Sequence, residues 1–396
     1  MVTATAYLYP WDVVGDPAAA DRVAALGVDS VAVAASYHSV RAATPFHPGH
    51  RLVDAEHAAL YLPVRQQAWA GARLVPGAPG WMPRPDSYTA AQEALRAVGL
   101  PVHAWTVLTH NSRLGRAHPH LSVHNAFGDR YPYALCPAAA EVRDYCATLV
   151  GEILDQGRPD GLVLEACGPI GLGHLGHHEK TDGADWDASR DRLLSLCFCT
   201  ACQGRYRDAG LDDDRLRGQV RAAVDSRAAA ATLDPDTMAA VTRVRTGLAA
   251  ELRRTVLAVA ASRPTVKVAL HASADPWATG PFATVVADTG PDPELDVLVG
   301  SAWTGAQQGT ANLAALRDLA GPGARLGAYL PVLPPRPVDP QALAREWAAC
   351  LGAGADELHL YHAGLASRDR LTAVREALTG LRSAPHVGEA GSDCFG

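Results

Sequence analysis

The sequence lacks the features that mark a membrane protein or a nucleic-acid-binding protein. It has no run of about 18 apolar residues, so no segment is predicted to cross a membrane. It has no block of basic residues, and its formal net charge of −7 argues against a nucleic acid or an anionic membrane surface as the main partner. The N-terminus has neither the basic region nor the apolar core of a signal peptide. We therefore expect a cytoplasmic protein.

The sequence is also poor in the features that bind organic cofactors. Lysine is scarce, and neither Lys180 nor Lys267 lies at the end of a predicted strand, where a Schiff-base lysine would be expected. The first predicted strand ends in Pro10-Trp11-Asp12, where a dinucleotide-binding fold would carry a glycine-rich turn. No organic cofactor is therefore predicted.

The cysteines do not indicate a disulfide framework, which is disfavoured in a cytoplasmic chain of this length. Cys197, Cys199 and Cys202 lie so close together that they suit a tetrahedral metal site completed by a ligand from elsewhere. Cys136, Cys167 or a nearby histidine can supply that ligand. A structural zinc ion is the predicted occupant, and buried free thiols at the start of a helix are the alternative.

A second candidate for metal binding is the glycine-rich segment that contains His174, His177 and His178. The three imidazoles are closely spaced, which is compatible with metal ligation. Solvated histidines in a surface loop are the favoured interpretation.

The order of the predicted elements indicates the fold. Apolar residues make up 48% of the chain and charged residues 19%, which allows a sizeable core. Eight strand-like segments alternate with helices, and eight parallel strands close a (β/α)8 TIM barrel. An open doubly wound sheet is the alternative. The predicted strands are residues 3–9, 29–35, 101–108, 161–165, 265–270, 295–299, 325–330 and 357–361.

We expect one barrel domain over residues 1–384, followed by a flexible tail over residues 385–396. Long insertions are predicted after the second and fourth strands, at about residues 40–99 and 170–263. Such long loops in a compact domain are usually functional. No internal repeat and no interdomain linker are apparent.

The fourth predicted strand, Gly161–Glu165, is apolar and ends on a carboxylate. Barrel enzymes place their catalytic groups at this end of the strands, so Glu165 is the leading catalytic candidate. A structural carboxylate bonded to a neighbouring strand is the alternative. The other strand ends carry aromatic, imidazole and amide groups of the kind that bind a sugar ring. These predicted substrate-binding residues are Trp11, Asp12, Tyr37, His38, His110, Asn111, His271, Trp277, Trp303 and His362.

Glycoside hydrolysis needs a second carboxyl group opposite the first. Asp275 is predicted to supply it, because it follows the fifth strand; a turn cap before Pro276 is the equally weighted alternative. Asp12 is a further candidate, unless its carboxylate only holds the first loop.

Several motifs, taken in order, resemble a group of glycoside-hydrolase-like (β/α)8 proteins. They are Leu135-Cys136-Pro137 before a helix, Asp160-Gly161 at the start of an acid-ended strand, and the Cys-x-Cys-x-x-Cys cluster at Cys197. The resemblance covers residues from about 100 to 205. It implies a barrel that acts on or binds carbohydrate, with Glu165 at the acidic position of the fourth strand. Retaining glycosidases carry a second glutamate on the seventh strand, where this sequence has Tyr329, so their mechanism is not carried over.

The expected function is therefore that of a carbohydrate-active enzyme, a glycoside hydrolase with Glu165 as acid/base or nucleophile. One alternative is a lyase or isomerase acting on a glycosylated small molecule, with histidines at the strand ends as acid–base groups. Another is a catalytically inactive barrel that binds sugar. In each case the expected partner is a carbohydrate or a glycosylated small molecule. The histidines are His38, His110, His271 and His362.

Overall fold

A computed structural model describes residues 2–173, 180–287, 295–320 and 323–383. The predicted tail and the three histidines at 174, 177 and 178 lie outside the described residues. The extent of the single domain stays a prediction. In the described part of the chain, no helix has the length and apolar character needed to cross a bilayer.

Eight parallel strands form a closed barrel, which confirms the predicted (β/α)8 fold. Each strand pairs with its neighbours in chain order, and the first strand pairs with both the second and the eighth, which closes the sheet. The strands are β1 (Thr3–Leu8), β2 (Ser30–Tyr37), β3 (Val102–Val107), β4 (Gly161–Glu165), β5 (Lys267–Ser273), β6 (Val297–Ser301), β7 (Arg325–Pro331) and β8 (Glu357–Tyr361).

Helices surround the barrel, and long segments follow β2 and β4 as predicted. The segment after β2 contains a hairpin of Val40–Ala43 and Leu52–Ala55, and a second hairpin, Ser122–His124 with Arg130–Leu135, follows β3. Four helices, α5 to α8, lie between β4 and β5. The helices are α1 (Ala19–Ala24), α2 (Ser87–Ala97), α3 (Ser112–Ala117), α4 (Ala140–Glu152), α5 (Ala188–Leu194), α6 (Thr200–Asp208), α7 (Asp213–Val224), α8 (Pro235–Ala260), α9 (Ala306–Leu319), α10 (Pro340–Gly352) and α11 (Arg368–Ser383).

The N-terminal end of the barrel carries a fourfold repetition that was not predicted from the sequence. An aspartate directly precedes each even-numbered strand, and its carboxylate accepts the backbone N–H of a residue at the start of the preceding odd-numbered strand. The backbone N–H of the same aspartate donates to that residue's carbonyl. Each pair of strands is thereby fixed in register at its first residues. The pairs are Asp29 with Ala4 (2.8 Å), Asp160 with Val102 (2.8 Å), Asp296 with Val268 (2.7 Å) and Asp356 with Leu326 (2.7 Å).

The barrel interior is unusually polar. Barrel cores are commonly filled by layers of branched aliphatic side chains. Here Tyr7 is buried in the centre, and the buried rings of Trp105, His271 and His359 all pack against it. The Tyr7 hydroxyl is hydrogen-bonded to both histidines and the Trp105 indole to Glu165, which avoids the cost of unpaired polar groups at these atoms.

Removing one carboxylate of the fourfold repetition tests its structural role. We expect Asp160→Ala to lower the free energy of unfolding by about 1–2 kcal/mol, because it leaves the N–H of buried Val102 without its carboxylate acceptor. Chemical denaturation of the two proteins measures the difference. Asp54→Ala, at an exposed position of the outer hairpin, is the control and should change stability by less than about 0.5 kcal/mol. Equal losses in the two variants would contradict the assigned role.

Candidate active site

Glu165 is the last residue of β4 and is only 6% exposed. The indole Nε1–H of Trp105, on the neighbouring strand β3, donates a 2.7 Å hydrogen bond to its Oε2 atom. His271 Nδ1, on β5, lies 3.5 Å from the same oxygen. Burial raises the pKa of Glu165 from 4.5 to about 7, against the lowering effect of the Trp105 hydrogen bond. The group can therefore both donate and accept a proton near neutral pH.

The backbone that carries Glu165 is held in an uncommon conformation. Ala166, the next residue, has a φ of 54°, which lies in the left-handed region that side chains other than glycine rarely adopt. The Thr109 hydroxyl donates to the carbonyls of Ala166 and Gly168, at 2.7 and 2.9 Å. Strain that is maintained by such contacts is typical of a functional site.

Four buried tyrosines lie near enough to Glu165 to be affected by its charge. Burial raises the pKa of each phenol, and the negative charge of Glu165 raises it further. Their hydroxyls therefore stay protonated and can donate hydrogen bonds. The four are Tyr7 on β1, Tyr37 on β2, Tyr329 on β7 and Tyr361 on β8.

An exposed indole extends this aromatic lining towards solvent. Trp303 is 43% exposed, and its ring stacks on Tyr329 with centroids 6.0 Å apart. Its centroid also lies 5.1 Å from that of Tyr361. A large apolar face that is exposed, yet packed against buried rings, suits the C–H face of a sugar.

Tyr37, His271 and Trp303, three of the predicted substrate-binding residues, thus belong to the group around Glu165. His362 and Trp11 lie further along the same aromatic cluster, where both pack on Tyr9 at centroid distances of 4.2 and 4.4 Å. Burial lowers the pKa of His362 to about 3, so its ring is neutral.

His38, His110 and Asn111 lie at the ends of β2 and β3 as predicted. His38 stacks on Tyr37, with centroids 4.1 Å apart, and His110 lies 4.2 Å beyond it. The Asn111 side chain accepts the N–H of Leu114 at 3.0 Å and so caps α3. The amide oxygen of Asn111 therefore has a structural role.

Asp275 forms a turn and a surface ion pair. Its Oδ1 accepts the N–H of Trp277 at 2.9 Å, and its Oδ2 pairs with Arg192 at 3.2 Å. The side chain is 44% exposed. The guanidinium of Arg245 lies 5.6 Å from the Trp277 ring centre. Within the described residues, no hydrogen bond or ion pair joins Asp275 to Glu165.

Asp12 is buried under the first loop. Its Oδ2 accepts the N–H of Tyr9 at 2.7 Å. A Cβ added at Gly364 would lie only 1.9 Å from the same oxygen, so the carboxyl rests on the backbone after β8. Burial raises the pKa of Asp12 to about 7. These contacts support the loop-holding role that the sequence left open for this residue.

The structure brings four cysteines together. The Sγ atoms of Cys136, Cys197, Cys199 and Cys202 all lie within 4.8 Å of one another, and Cys136 is 3.4 Å from Cys202. Four sulfurs bound at about 2.3 Å to a tetrahedral ion would lie about 3.8 Å apart, so the set fits a metal ion. Cys136, one of the residues considered as the fourth ligand, completes the set, and Cys167 is not part of it.

Trp105, Tyr9 and Tyr361 were not predicted as site residues. Trp105 lies in the middle of β3, whereas most of the predicted site residues follow the ends of strands. The alternation of side chains along a strand was the available signal, because it places every second residue in the barrel interior.

No family model matches the sequence, and neither does any curated protein. Solved structures with the same fold include alpha-L-fucosidase isoenzyme 2 from Paenibacillus thiaminolyticus (14% identity, TM-score 0.57, 96% of this chain and 49% of that chain). They also include the PgaB (BpsB) glycoside hydrolase domain from Bordetella bronchiseptica (15% identity, TM-score 0.56, 95% of this chain and 99% of that chain). A third is the catalytic domain of beta-amylase from Paenibacillus polymyxa (12% identity, TM-score 0.57, 97% of this chain and 99% of that chain). The chain therefore spans about half of the fucosidase. At these identities the likeness shows a barrel fold shared with glycoside hydrolases.

The raised pKa of Glu165 predicts how stability depends on pH. The folded protein holds this proton up to about pH 7, whereas the unfolded chain releases it near pH 4.5. The contribution of Glu165 to the free energy of unfolding is therefore largest below pH 4.5 and is lost as pH rises to about 7. The difference corresponds to about 3 kcal/mol.

As pH rises from 4.5 to 8, we expect the free energy of unfolding of Glu165→Gln to increase by about 3 kcal/mol relative to that of wild type. Chemical denaturation across this pH range measures the difference. Glu141→Gln is the control, because the Glu141 side chain is 44% exposed, and it should run parallel to wild type. A constant difference between Glu165→Gln and wild type at all pH values would contradict the raised pKa.

Proposed function

We propose that the chain is a carbohydrate-active enzyme in which Glu165 is the proton donor. The observation that carries this proposal is a nearly buried carboxyl with a pKa of about 7 at the C-terminal end of a barrel strand. A carboxyl of this kind can be protonated at neutral pH and still transfer its proton to a substrate. The names of the solved proteins that share the fold support a carbohydrate as the substrate class.

The aromatic groups are proposed to position the sugar. Trp303 offers its exposed face, and Tyr329 and Tyr361 lie directly beneath it. The hydroxyls of Tyr37, Tyr329 and Tyr361 can bind sugar hydroxyls as the ring enters. In this arrangement the glycosidic oxygen meets Glu165, which protonates the leaving group as the bond breaks.

The second catalytic group is the open part of the mechanism. Two carboxyls of a glycosidase are about 5–9.5 Å apart, so the second one need not contact Glu165. Asp275 and Asp12 remain the candidates that the sequence offered. Asp12 is the better buried of the two, and its Oδ1 has no hydrogen-bond partner among the described residues.

One observation favours a second candidate function, that of a non-hydrolytic lyase or isomerase. The end of β7 carries Tyr329 in place of a second glutamate, and within the described residues no carboxyl contacts Glu165. Glu165 and the surrounding phenols would then transfer protons to and from a glycosylated small molecule. An inactive sugar-binding barrel is the remaining alternative, in which the same aromatic groups bind but no bond is broken.

We also propose that the four-cysteine set holds a structural zinc ion. Thiolates select zinc among the common divalent ions, and four protein ligands leave no open position for substrate. Cys136 comes from the chain segment before α4, and the other three lie at the start of α6. The ion would therefore fasten the helical insertion to the barrel.

Replacing Glu165 tests the proposed function. We expect Glu165→Gln to lower turnover of a responsive disaccharide or methyl glycoside at least about a hundredfold, because an alkoxide leaving group needs a proton that the amide cannot donate. Calorimetric binding of the corresponding free sugar should be retained. Glu141→Gln should behave as wild type. Full turnover in Glu165→Gln would refute the role of this residue, and sugar binding by a wild-type protein that turns over no glycoside in the panel would favour the alternatives.

Metal analysis tests the zinc proposal. The purified protein should contain about one zinc per chain, and Cys136→Ser should lose most of it because one of four ligands is removed. Cys146→Ser is the matched control, since Cys146 is also buried but lies outside the set, and it should keep its zinc. Metal-free protein that is as stable as the purified form would contradict a structural role.

A further inference from the structure

A row of five polar groups runs through the barrel from Glu165 to the opposite end. Three hydrogen bonds join four of them, and His271 Nδ1, which has no hydrogen-bond partner among the described residues, approaches Glu165. His271 Nδ1 lies 3.5 Å from Glu165 Oε2, and His271 Nε2 lies 3.0 Å from the Tyr7 hydroxyl. The same hydroxyl is 2.9 Å from His359 Nδ1. His359 Nε2 is 2.8 Å from an oxygen of Glu357, at the start of β8. All five groups are at least nine-tenths buried.

The direction of each hydrogen bond in this chain determines the next. A neutral imidazole donates from one nitrogen and accepts at the other, and a phenol has a single hydrogen to donate. If His359 donates to an ionised Glu357, its Nδ1 must accept from Tyr7. Tyr7 must then accept from His271 Nε2, which leaves His271 Nδ1 as an acceptor. That nitrogen has no hydrogen-bond partner among the described residues, and a proton on Glu165, whose Oε2 lies 3.5 Å away, would supply the missing donor.

Reversing every bond gives the opposite arrangement, in which Glu165 is ionised and Glu357 is protonated. The chain is therefore satisfied when one of its two terminal carboxyls holds a proton and the other does not. Two ionised carboxyls would leave one link unmade, because both imidazoles would need the single phenol hydrogen. Two protonated carboxyls would leave that phenol hydrogen without an acceptor, and either defect is costly in a buried site.

Two observations at the N-terminal end select between these arrangements. Arg325 pairs with the second oxygen of Glu357 at 3.1 Å. Burial tends to raise the pKa of Glu357, but the hydrogen bond from His359 and the charge of Arg325 lower it below its usual value. Glu357 also lines a cavity of about 470 Å³ at this end of the barrel, where solvent can screen its charge. Glu357 is thereby held in its ionised form.

We propose that the Arg325–Glu357 ion pair keeps Glu165 protonated through the chain of His359, Tyr7 and His271. These are positioning residues, since none of them need touch substrate. The inference rests on the proposed function only for its meaning in catalysis. It explains how the negative charge of Glu357, at the other end of the barrel, favours the protonated form of Glu165 in the resting enzyme.

Glycines on β4 and β7 leave room for imidazole rings in the barrel interior. A Cβ added at Gly327 would lie 2.8 Å from the His359 ring, so an alanine on β7 would displace it. At Gly161 a Cβ would meet the His103 ring at 2.8 Å. Glycine in a strand interior is unfavourable unless close packing requires it. Here it leaves room for imidazoles where a barrel would otherwise pack aliphatic side chains.

Other titratable groups face the two ends of the chain and must be considered. Near Glu165 they are Tyr37, Tyr329 and Tyr361, which stay protonated around neutral pH. Near Glu357 they are His103, Asp160 and Lys267, which line the same cavity. A through-space effect of these charges would not depend on Tyr7, whereas a hydrogen-bonded chain requires its hydroxyl.

The experiment is a pH titration of Glu165 by NMR in protein labelled with carbon-13 at the glutamate side-chain carboxyl, without substrate. Loss of one resonance in Glu165→Gln assigns the signal. We expect Glu357→Gln to lower the pKa of Glu165 by about one unit, because a neutral amide can donate to His359 as well as accept from it. Arg325→Gln should shift it in the same direction.

The Tyr7→Phe background distinguishes the chain from a through-space effect. There, adding Glu357→Gln should change the pKa of Glu165 by less than about 0.3 units. Thermal unfolding checks that each variant is folded. An unchanged pKa in Glu357→Gln, or an equal shift with and without the Tyr7 hydroxyl, would overturn the proposal. Neither result depends on the enzyme having been assigned a substrate, so failure here is separate from failure of the proposed function.

Discussion

The hydrogen bond from Trp105 to Glu165 is the contact on which the candidate site depends. It joins two neighbouring strands through their side chains at the point where the barrel opens. It satisfies one oxygen of a carboxyl that is otherwise surrounded by aromatic rings. Burial and this single donor act on the pKa in opposite directions, and burial prevails. A second strong donor or a cation at the same place would leave an ionised carboxylate, which cannot act as an acid at neutral pH.

A polar interior imposes a structural demand that the rest of the barrel meets. Histidine and tyrosine in place of aliphatic residues remove part of the apolar packing that stabilises most barrels. The aspartates before the even-numbered strands supply compensation at the N-terminal end, because each makes two hydrogen bonds to the neighbouring strand. Their placement fixes the register of strand pairs without using core volume. The interior is thereby free to carry the hydrogen-bonded groups that run from Glu357 to His271, beside Glu165.

The sequence predicted the barrel and Glu165 because both leave local patterns. Alternating strands and helices are visible residue by residue, and an apolar strand that ends on an acid needs no partner to be noticed. Trp105 was missed because its role depends on which way a strand residue faces, which register sets. Cys136 was only one of several candidates, because its place beside Cys202 depends on how the insertion folds back. Asp275 was proposed from its position after β5, but local order does not show that its carboxylate pairs with Arg192.

Tyr329 stands on β7 where retaining glycosidases have a second glutamate, and this difference affects the charge of the site. At the end of β7 a second carboxylate would lie close to Glu165, and two such groups in one aromatic enclosure would share a proton. A phenol that stays protonated adds no negative charge there, and it keeps a donor directed at the substrate. The balancing negative charge lies instead at the far end of the barrel, on Glu357 beside Arg325. In such a site the protonated carboxyl and the ionised carboxylate lie at opposite ends of the barrel. Glu165 can therefore keep its proton while Glu357 carries the negative charge.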